Sequence, residues 1–533
     1  MDAELLNEHL IHKWDEEGLY LDLTLWDYLE RANQSKIAVI TEVEGEIPYS
    51  EIRKRSLNLA RQFIDIGLQP GDVVVLQLPN CVELIISHLA LTRVGAITLA
   101  LLPSYRKDEV AKIMGLSNAI GIVYSSTDQT YIRNGDAYSA SSFDARMLKF
   151  ALDTSTHEFQ SINTIECTLD NIPFVAPLPS EVTILMATSG TTGTPKIVTH
   201  SHRSTIGCVL EVANTMHLTA NDVIFMPSPL AHATGLQYGV RMSIALGSTL
   251  VLMNKWSKEL AIGIIESTKA TWMMGATPFL FDLLNVPDAE LQRIRSMKTF
   301  VCGGSPIPEV LARKAHERIP DMSLLTAWGM SETGIATLVR PNDPIEKSIK
   351  TDGLPIRGFE VKIINAEGKD CSTYETGEIQ VRGPSMFHGY LNDETNNKTS
   401  LDNGWLKSGD LGFIDNDGYL RCDGRIKDLI VRGGLNISPA EVEGLLLTHP
   451  LIEDVSIVGF PDDRLGERIF AFLVCPSGNP TLKELSEFLS AKGLSIQKHP
   501  EQVLFVSELP KTATGKTLKN QLRQTLIAQN KHS

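Results

Sequence analysis

No Cys-x-x-Cys pair occurs in these 533 residues. The seven cysteines, at 81, 167, 208, 302, 371, 422 and 475, are odd in number and scattered. That excludes a signalled disulfide framework or zinc module and fits a reducing compartment. There is no excess of basic charge: 49 Lys and Arg against 64 Asp and Glu leave a net charge of −15. Non-specific nucleic-acid or membrane-surface binding is therefore disfavoured, while a small anionic ligand held by a few local groups is not. No long apolar run is free of polar groups. The most apolar stretch, Leu84 to Leu102, carries His88, Thr92 and Arg93, and so predicts a buried helix followed by a strand, not a membrane span. Met1 to Glu17 is acid-rich and lacks a basic segment followed by an apolar one, so no secretory leader is expected and the default location is the cytoplasm. Repeats and low-complexity tracts are also missing. With 43% apolar and 21% charged residues, the chain is not mainly disordered, collagenous or coiled coil. At about 150 residues per domain its length suggests three or four folding units.

What is present is alternation of helix and strand. Helical spacing over Ser50–Ile66 leads through the turn Gly67–Asp72 into the apolar run Val73–Leu78. A helix over Glu83–Thr92 and a strand over Ala96–Leu102 follow. Short buried strands are predicted at Val182–Met186, Asp222–Met226, Ser248–Met253, Thr271–Met274 and Lys298–Val301, with helices near 204–216, 257–268, 278–285 and 308–318. Such alternation argues for parallel sheets covered by helices on both faces. After about residue 355 the character changes. Phe359–Ile364 and Glu378–Val381 alternate about the turn Asn365–Gly368, which indicates a small antiparallel unit. From Asp423 a compact α+β module begins. Ser438–Pro439–Ala440–Glu441 reads as a capping box that opens a helix.

The densest chemical signal is Thr188–Ser189–Gly190–Thr191–Thr192–Gly193–Thr194–Pro195–Lys196, directly after an apolar strand. Glycines admit close backbone approach, hydroxyls and N–H groups donate to phosphate oxygens, and Lys196 adds a positive charge. A plain solvent loop would not need this density of donors. It is not a Walker A loop, since Thr194 and not Lys follows Gly193; Gly515–Lys516–Thr517 fails the same pattern because Pro510 stands where Gly is required. No G-x-G-x-x-G opens a helix, which disfavours a dinucleotide dehydrogenase. Further on, Thr326–Ala327–Trp328–Gly329–Met330–Ser331–Glu332–Thr333 offers an aromatic to stack on a base and a carboxylate that can hold Mg²⁺ through oxygen. On their own a Trp is usually core and a Glu usually solvated. Ser408–Gly409–Asp410 places a carboxylate suited to ribose hydroxyls. Asp423–Gly424–Arg425–Ile426–Lys427–Asp428 and Pro510–Lys511–Thr512–Ala513–Thr514–Gly515–Lys516 complete the set.

In this order, over about residues 20 to 525, the segments resemble the adenylate-forming superfamily, which includes acyl-CoA synthetases, aryl-acid adenylating enzymes, nonribosomal adenylation domains and beetle luciferases. The resemblance implies an α/β fold: a large N-terminal lobe, 1–424, of two helix-covered, mainly parallel sheets plus a small distorted β-barrel, then a hinge at 425–427 and a mobile α+β C-terminal domain, 428–533. It implies an acid–thiol ligase of the acyl-CoA synthetase kind. A carboxylic acid attacks the α-phosphate of ATP to give acyl-AMP and pyrophosphate, and a thiol then displaces AMP. Two anions meet in the first step, so positive charge and oriented dipoles are needed there. By resemblance, Thr188 to Lys196 covers the β- and γ-phosphates, and Lys516 bridges the carboxylate and the α-phosphate. Glu332, with Thr188, holds Mg²⁺, and Ser331 lies near the phosphates. Trp328 faces adenine within Ala327–Met330. Gly303, Gly304 and Ser305 form a turn between adenine and the acyl pocket. Asp410 contacts the ribose, and Arg425 makes a second ribose or phosphate contact. His232 sits beside the acyl carboxylate, although a lone histidine is usually an ordinary loop residue. Lys427 is the hinge, about which rotation withdraws Lys516 and brings in Arg432–Gly433–Gly434. The implied substrates are ATP, a small carboxylic acid and CoA, or the phosphopantetheine of a separate carrier protein; no nucleic acid is expected, and a homodimer is left open.

The acid is read from a few positions. Ala100–Leu101–Leu102–Pro103–Ser104–Tyr105–Arg106 is similar to 2,3-dihydroxybenzoate-activating enzymes, which usually place Asn directly after the histidine; here it is Ala233. A pocket without that polar partner does not favour a hydroxylated ring. His232–Ala233–Thr234–Gly235 instead resembles short- and medium-chain fatty acyl-CoA synthetases. On the strand expected after His232, Gln237–Tyr238 stands where an amino-acid pocket would want an acid. The expectation is an aliphatic or alicyclic acid with CoA as acceptor and a pocket from Leu236, Tyr238, Val301, Cys302, Gly303 and Ala327. A stand-alone aryl-acid ligase loading a separate carrier is the alternative; a catalytically inactive nucleotide sensor is countered by intact Lys516, Glu332 and Asp410.

Overall fold

A computed structural model describes residues 8–124, 148–151, 160–161, 177–188, 195–304, 307–511 and 517–530. The strands expected from continuous apolar runs pair into two mainly parallel sheets. Both faces of each are covered, and for that reason the strands read as unbroken runs instead of alternating. All five residues of Val73–Gln77 are buried, as are all four of Trp272–Gly275.

The nine-stranded sheet runs in the order Leu354–Pro355, Gly334–Leu338, Ser323–Met330, Thr299–Gly303, Trp272–Gly275, Val223–Met226, Thr249–Leu252, Ile37–Thr41 and Gly45–Pro48. Its interior pairs are parallel and its two edges antiparallel. The seven-stranded sheet runs Gln160–Ser161, Leu148–Ala151, Gly121–Tyr124, Val73–Gln77, Ile97–Ala100, Val182–Thr188 and Lys196–Ser201. Only its last pair is antiparallel among the described residues. One large apolar cluster joins the two sheets, and two others fill their outer faces. The alternation of neighbours on a strand is visible at Val301 and Cys302, which belong to different clusters.

The expected antiparallel unit is a five-stranded sheet built from Glu360–Ile364, Gly377–Arg382, Leu401–Asp402, Trp405–Ile414 and Leu420–Arg425, with register shifts that bend it. After it comes an α+β unit. The hairpin Ile430–Arg432 and Leu435–Ile437, the long pair Asp454–Asp462 and Gly466–Val474, and Gln502–Phe505 carry the helices Pro439–Leu446, Leu482–Ala491 and Lys519–Asn530. Its two apolar clusters contain no residue before Ile430.

Two local readings change. Ser438 is the N-cap and Pro439 the first residue of the helix Pro439–Leu446, as expected, but no side-chain cap bond forms. The Ser438 hydroxyl instead donates to the Asp423 carbonyl at 2.6 Å, because the preceding strand ends beside it. A true capping box forms at Thr481 and Glu484. Second, the stretch after His232 is a π-helix, Thr234–Arg241, with seven of its eight residues buried. Among the described residues no helix is long and apolar enough to cross a membrane; Val82–Val94 is the buried helix expected from the most apolar stretch.

Candidate active site

The motif residues converge where the two parallel sheets meet the antiparallel one. Thr188 ends one strand and Lys196 begins the next, in direct register across an antiparallel pair. The Thr188 hydroxyl donates to the Lys196 carbonyl at 3.3 Å and closes the base of the loop. Ser189, Gly190, Thr191, Thr192 and Gly193 lie outside the described residues, so only the feet of this loop are defined. The Lys196 ammonium rests 4.5 Å from the centre of the Tyr390 ring.

Ala327, Trp328, Gly329 and Met330 form the end of the strand Ser323–Met330, and Ser331 and Glu332 the turn after it. Gly334, at φ +66°, must be Gly: a Cβ there would meet Cys208 Sγ at 2.8 Å and the Tyr238 hydroxyl at 2.9 Å. Two ties fix this turn, one to the hairpin of Val182–Thr188 and Lys196–Ser201 and one to the segment 385–391. His200 Nε2 lies 2.7 Å from the Ser331 carbonyl, and the Phe387 N–H donates to the Glu332 carbonyl at 2.8 Å. Burial drives His200 down to about 4, and its bond to that carbonyl only partly opposes the shift. Glu332 is 7% exposed, and its Oε1 accepts from the Tyr390 hydroxyl at 2.8 Å. Burial raises its carboxyl, while the Tyr390 bond and the Lys196 and Arg425 charges pull the other way.

Trp328 and Asp410 are joined directly. The indole N–H donates to Asp410 Oδ2 at 3.0 Å, and the ring is 5% exposed. The indole N–H thus holds the carboxylate, a contact that the motif did not signal. Arg425 Nε lies 3.0 Å from Asp410 Oδ1 as an ion-pair contact, yet this buried oxygen receives no aligned hydrogen bond. A buried carboxylate oxygen without a donor fits a ribose hydroxyl. Gly303 ends its strand beside Ala327, whose carbonyl would lie 3.1 Å from an added Cβ, and Gly304 has φ +91°. Ser305 is outside the described residues.

His232 begins the turn into the π-helix; its Nδ1 accepts the Thr234 N–H at 3.3 Å. Asn80, which no motif flagged, clamps this segment: its amide donates to the Ser228 and Met253 carbonyls at 3.0 Å and its Oδ1 accepts the Leu230 N–H at 2.8 Å. Leu236 and Val301 share the cluster between the sheets. Tyr238 is 3% exposed and its hydroxyl accepts the Ile335 N–H at 2.6 Å, which pins the turn after Glu332. Cys302 is not brought into this group. It lies on the opposite face of the sheet with Phe300 and Ala312, 3.9 Å from the Thr277 hydroxyl.

Lys427 is exposed in the short turn Ile426–Asp428. Lys516 lies outside the described residues, but the feet of its loop are defined. Lys511 bridges Thr517 across it, Lys511 pairs with Asp454 at 2.6 Å, and Lys519 pairs with Glu443 at 2.7 Å. No three His, Cys, Asp or Glu groups gather as a metal cage among the described residues. One buried carboxylate, Glu332, fits Mg²⁺ carried by a nucleotide, which needs one or two protein oxygens besides phosphate and water.

The AMP-binding enzyme family matches residues 28–391, and the AMP-binding enzyme C-terminal domain matches 441–516. The chain is 32% identical over 532 residues to the medium-chain fatty-acid–CoA ligase of Escherichia coli (strain K12), covering 98% of this chain and 94% of that one. ATP-bound MatB of Rhodopseudomonas palustris superposes with a TM-score of 0.85 at 25% identity, over 95% and 99% of the two chains. The o-succinylbenzoate CoA synthetase of Bacillus subtilis, solved with its acyl-adenylate intermediate, gives a TM-score of 0.82 at 27% identity, over 94% and 98%. With its larger family match spanning well over half of it, the chain belongs to the AMP-binding enzymes, the adenylate-forming superfamily its motifs resemble, and is a ligase of that family.

Proposed function

We propose that the protein is an ATP-dependent carboxylic acid–CoA ligase. In the first half-reaction a carboxylate oxygen attacks the α-phosphorus of ATP and pyrophosphate leaves, giving acyl-AMP. In the second, the thiol of CoA attacks the acyl carbonyl, AMP leaves, and the thiol proton goes to solvent. The observation that carries this reading is the convergence of Lys196, Glu332 and Asp410, from three different sheets, through their contacts with Tyr390, Trp328 and Arg425. Asp410 takes the ribose, held in place by Trp328 and Arg425. Glu332 and Thr188 hold the Mg²⁺ that accompanies ATP, whose charge offsets that of the phosphates. The loop 188–196 binds the β- and γ-phosphates, and Lys516 bridges the two anions as they meet. Residues 1–424 act as the nucleotide-holding lobe and 428–533 as a unit that turns about 425–427. The exposure of Lys427 and the separate apolar clusters after Ile430 support that division.

The acid is a short- or medium-chain fatty or alicyclic one. Ala233 offers no polar partner to a ring hydroxyl, Leu236 and Val301 are apolar, and the identity to a fatty-acid ligase spans nearly the whole chain. An aryl acid, loaded onto CoA or a separate carrier, is the competing reading, favoured by the fold likeness to the o-succinylbenzoate enzyme. Pyrophosphate exchange across fatty, alicyclic, hydroxybenzoic and amino acids tests it. Hexanoate and its homologues are expected to exceed 2,3-dihydroxybenzoate by about tenfold or more, the discrimination a hydrophobic pocket allows. Faster exchange with the hydroxybenzoate would overturn the assignment.

A further inference from the structure

We infer that Tyr390 is a positioning residue for the adenylation half-reaction, holding the Lys196 ammonium on its ring face and the Glu332 carboxylate at its hydroxyl so that both charges stay available to the nucleotide. The inference rests on the roles given above to Glu332 and Lys196. The hydroxyl donates to Glu332 Oε1 at 2.8 Å, and the ammonium sits 4.5 Å from the ring centre. A lysine and a buried glutamate that share one tyrosine ring would otherwise close into a direct ion pair and cancel each other. The ring takes one charge on its electron-rich face and the other at its polar edge, so each is satisfied without meeting.

Tyr390 can do this because it is itself held on several sides. It is 6% exposed. Its N–H donates to Asn397 Oδ1 at 2.7 Å, and its carbonyl accepts from the Asn397 amide at 3.0 Å. It bridges Val198 on the phosphate-loop hairpin, and its ring meets that of Phe387 edge-on at 4.9 Å. On either side the backbone is laced to the same hairpin: Thr199 donates to the Gly389 carbonyl from both N–H and hydroxyl, and the Leu391 N–H donates to the Ile197 carbonyl. Phe387 in turn holds the Glu332 carbonyl. The segment 385–391 therefore staples the phosphate-loop hairpin to the turn that carries Glu332, and Tyr390 is its polar contact with both charges.

Tyr390→Phe keeps the ring and removes the hydroxyl; Tyr390→Leu removes both. For Y390F the Mg²⁺ concentration giving half-maximal pyrophosphate exchange is expected to rise about tenfold, the size of one hydrogen bond to a charged group. Calorimetric binding of α,β-methylene-ATP is expected to show the same added Mg²⁺ requirement. Y390L is expected to lose in addition about tenfold in affinity for that nucleotide at saturating Mg²⁺, as Lys196 closes on Glu332. In both, thioester formation from supplied acyl-adenylate is expected to stay within about twofold of the unsubstituted protein, since a small loss of kcat alone is all that a change confined to the first step allows. An unchanged Mg²⁺ requirement in Y390F, or equal loss of both half-reactions, would overturn the inference, and Y390F alone decides if Y390L fails to fold. Glu332→Gln separates the two levels. Exchange that survives E332Q refutes the role of Glu332 itself; exchange lost in E332Q but with ordinary Mg²⁺ dependence in Y390F refutes only the positioning by Tyr390.

Discussion

Buried imidazoles set a pH limit on this protein that its surface charge does not reveal. His200 is 2% exposed and held at about 4, against 6.5 for a free histidine, because burial penalises its charged form. His88 and His202 are likewise held well below the ordinary value by burial beside Arg241. Between pH 4 and 6.5 the unfolded chain binds the proton and the folded one does not, so the contribution of His200 is lost as pH falls through that window. Asp423, held up to about 6 by burial, works in the opposite direction and loses its contribution as pH rises. A comparison with His200→Gln isolates the histidine. The stability difference between the two proteins is expected to shrink by roughly 2–3 kcal/mol from pH 7 to 4.5, in denaturant titrations at each pH. A pH-independent difference would contradict the assignment. Single residues were legible where a motif framed them: Glu332 and Lys196 share the Tyr390 side chain, and Asp410 pairs with Arg425 of the next motif. Their partners were not. Tyr390, Asn80 and His200 stand in unremarkable local sequence, and only long-range pairing brings them to the site. Trp328 shows the same limit, since its environment is decided by an aspartate from another sheet.

Elements were legible in proportion to how local their causes are. Continuous apolar runs identified the buried strands, and the helices between them begin and end within a few residues of their expected bounds. The π-helix Thr234–Arg241 was invisible, because its composition is that of any buried helix and its wider turn is imposed from outside. Those outer causes are specific. Arg241 is fully buried at its end, where one guanidinium nitrogen lies 3.1 Å from His88 Nε2 and another donates to the Thr205 hydroxyl at 2.7 Å. At its start Gly235 lies against backbone: an added Cβ would meet the Pro229 carbonyl oxygen at 2.2 Å and Leu230 Cα at 2.7 Å. Gly235→Ala therefore must displace the turn that carries His232. The expected cost is about 1–3 kcal/mol in thermal or denaturant unfolding, together with a changed preference across the acid panel. Wild-type stability and selectivity in this variant would show that the turn has slack the packing denies. The capping box at Ser438 failed for a related reason: the hydroxyl is drawn, as a donor, to the Asp423 carbonyl, and its oxygen accepts no N–H of the helix.

At the scale of the whole molecule, the order of elements indicated parallel sheets, a smaller antiparallel unit and a terminal α+β module, the resemblance implied that the parallel sheets are two, and the fold has these parts. Sheet order was beyond reach, because strands distant in the chain, such as Ile37–Thr41 and Thr249–Leu252, become neighbours only through the shared core. The central claim is that one lysine of the terminal unit serves the first half-reaction and withdraws for the second. Lys511 and Lys519, tied to Asp454 and Glu443, hold the feet of its loop on that unit. The most direct measurement is both half-reactions of Lys516→Ala, by pyrophosphate exchange and by thioester formation from supplied acyl-adenylate. The account predicts exchange reduced by about 10²-fold or more, the scale of removing one transition-state contact, with thioester formation nearly intact. Equal loss of both, or exchange at the wild-type rate, would contradict it.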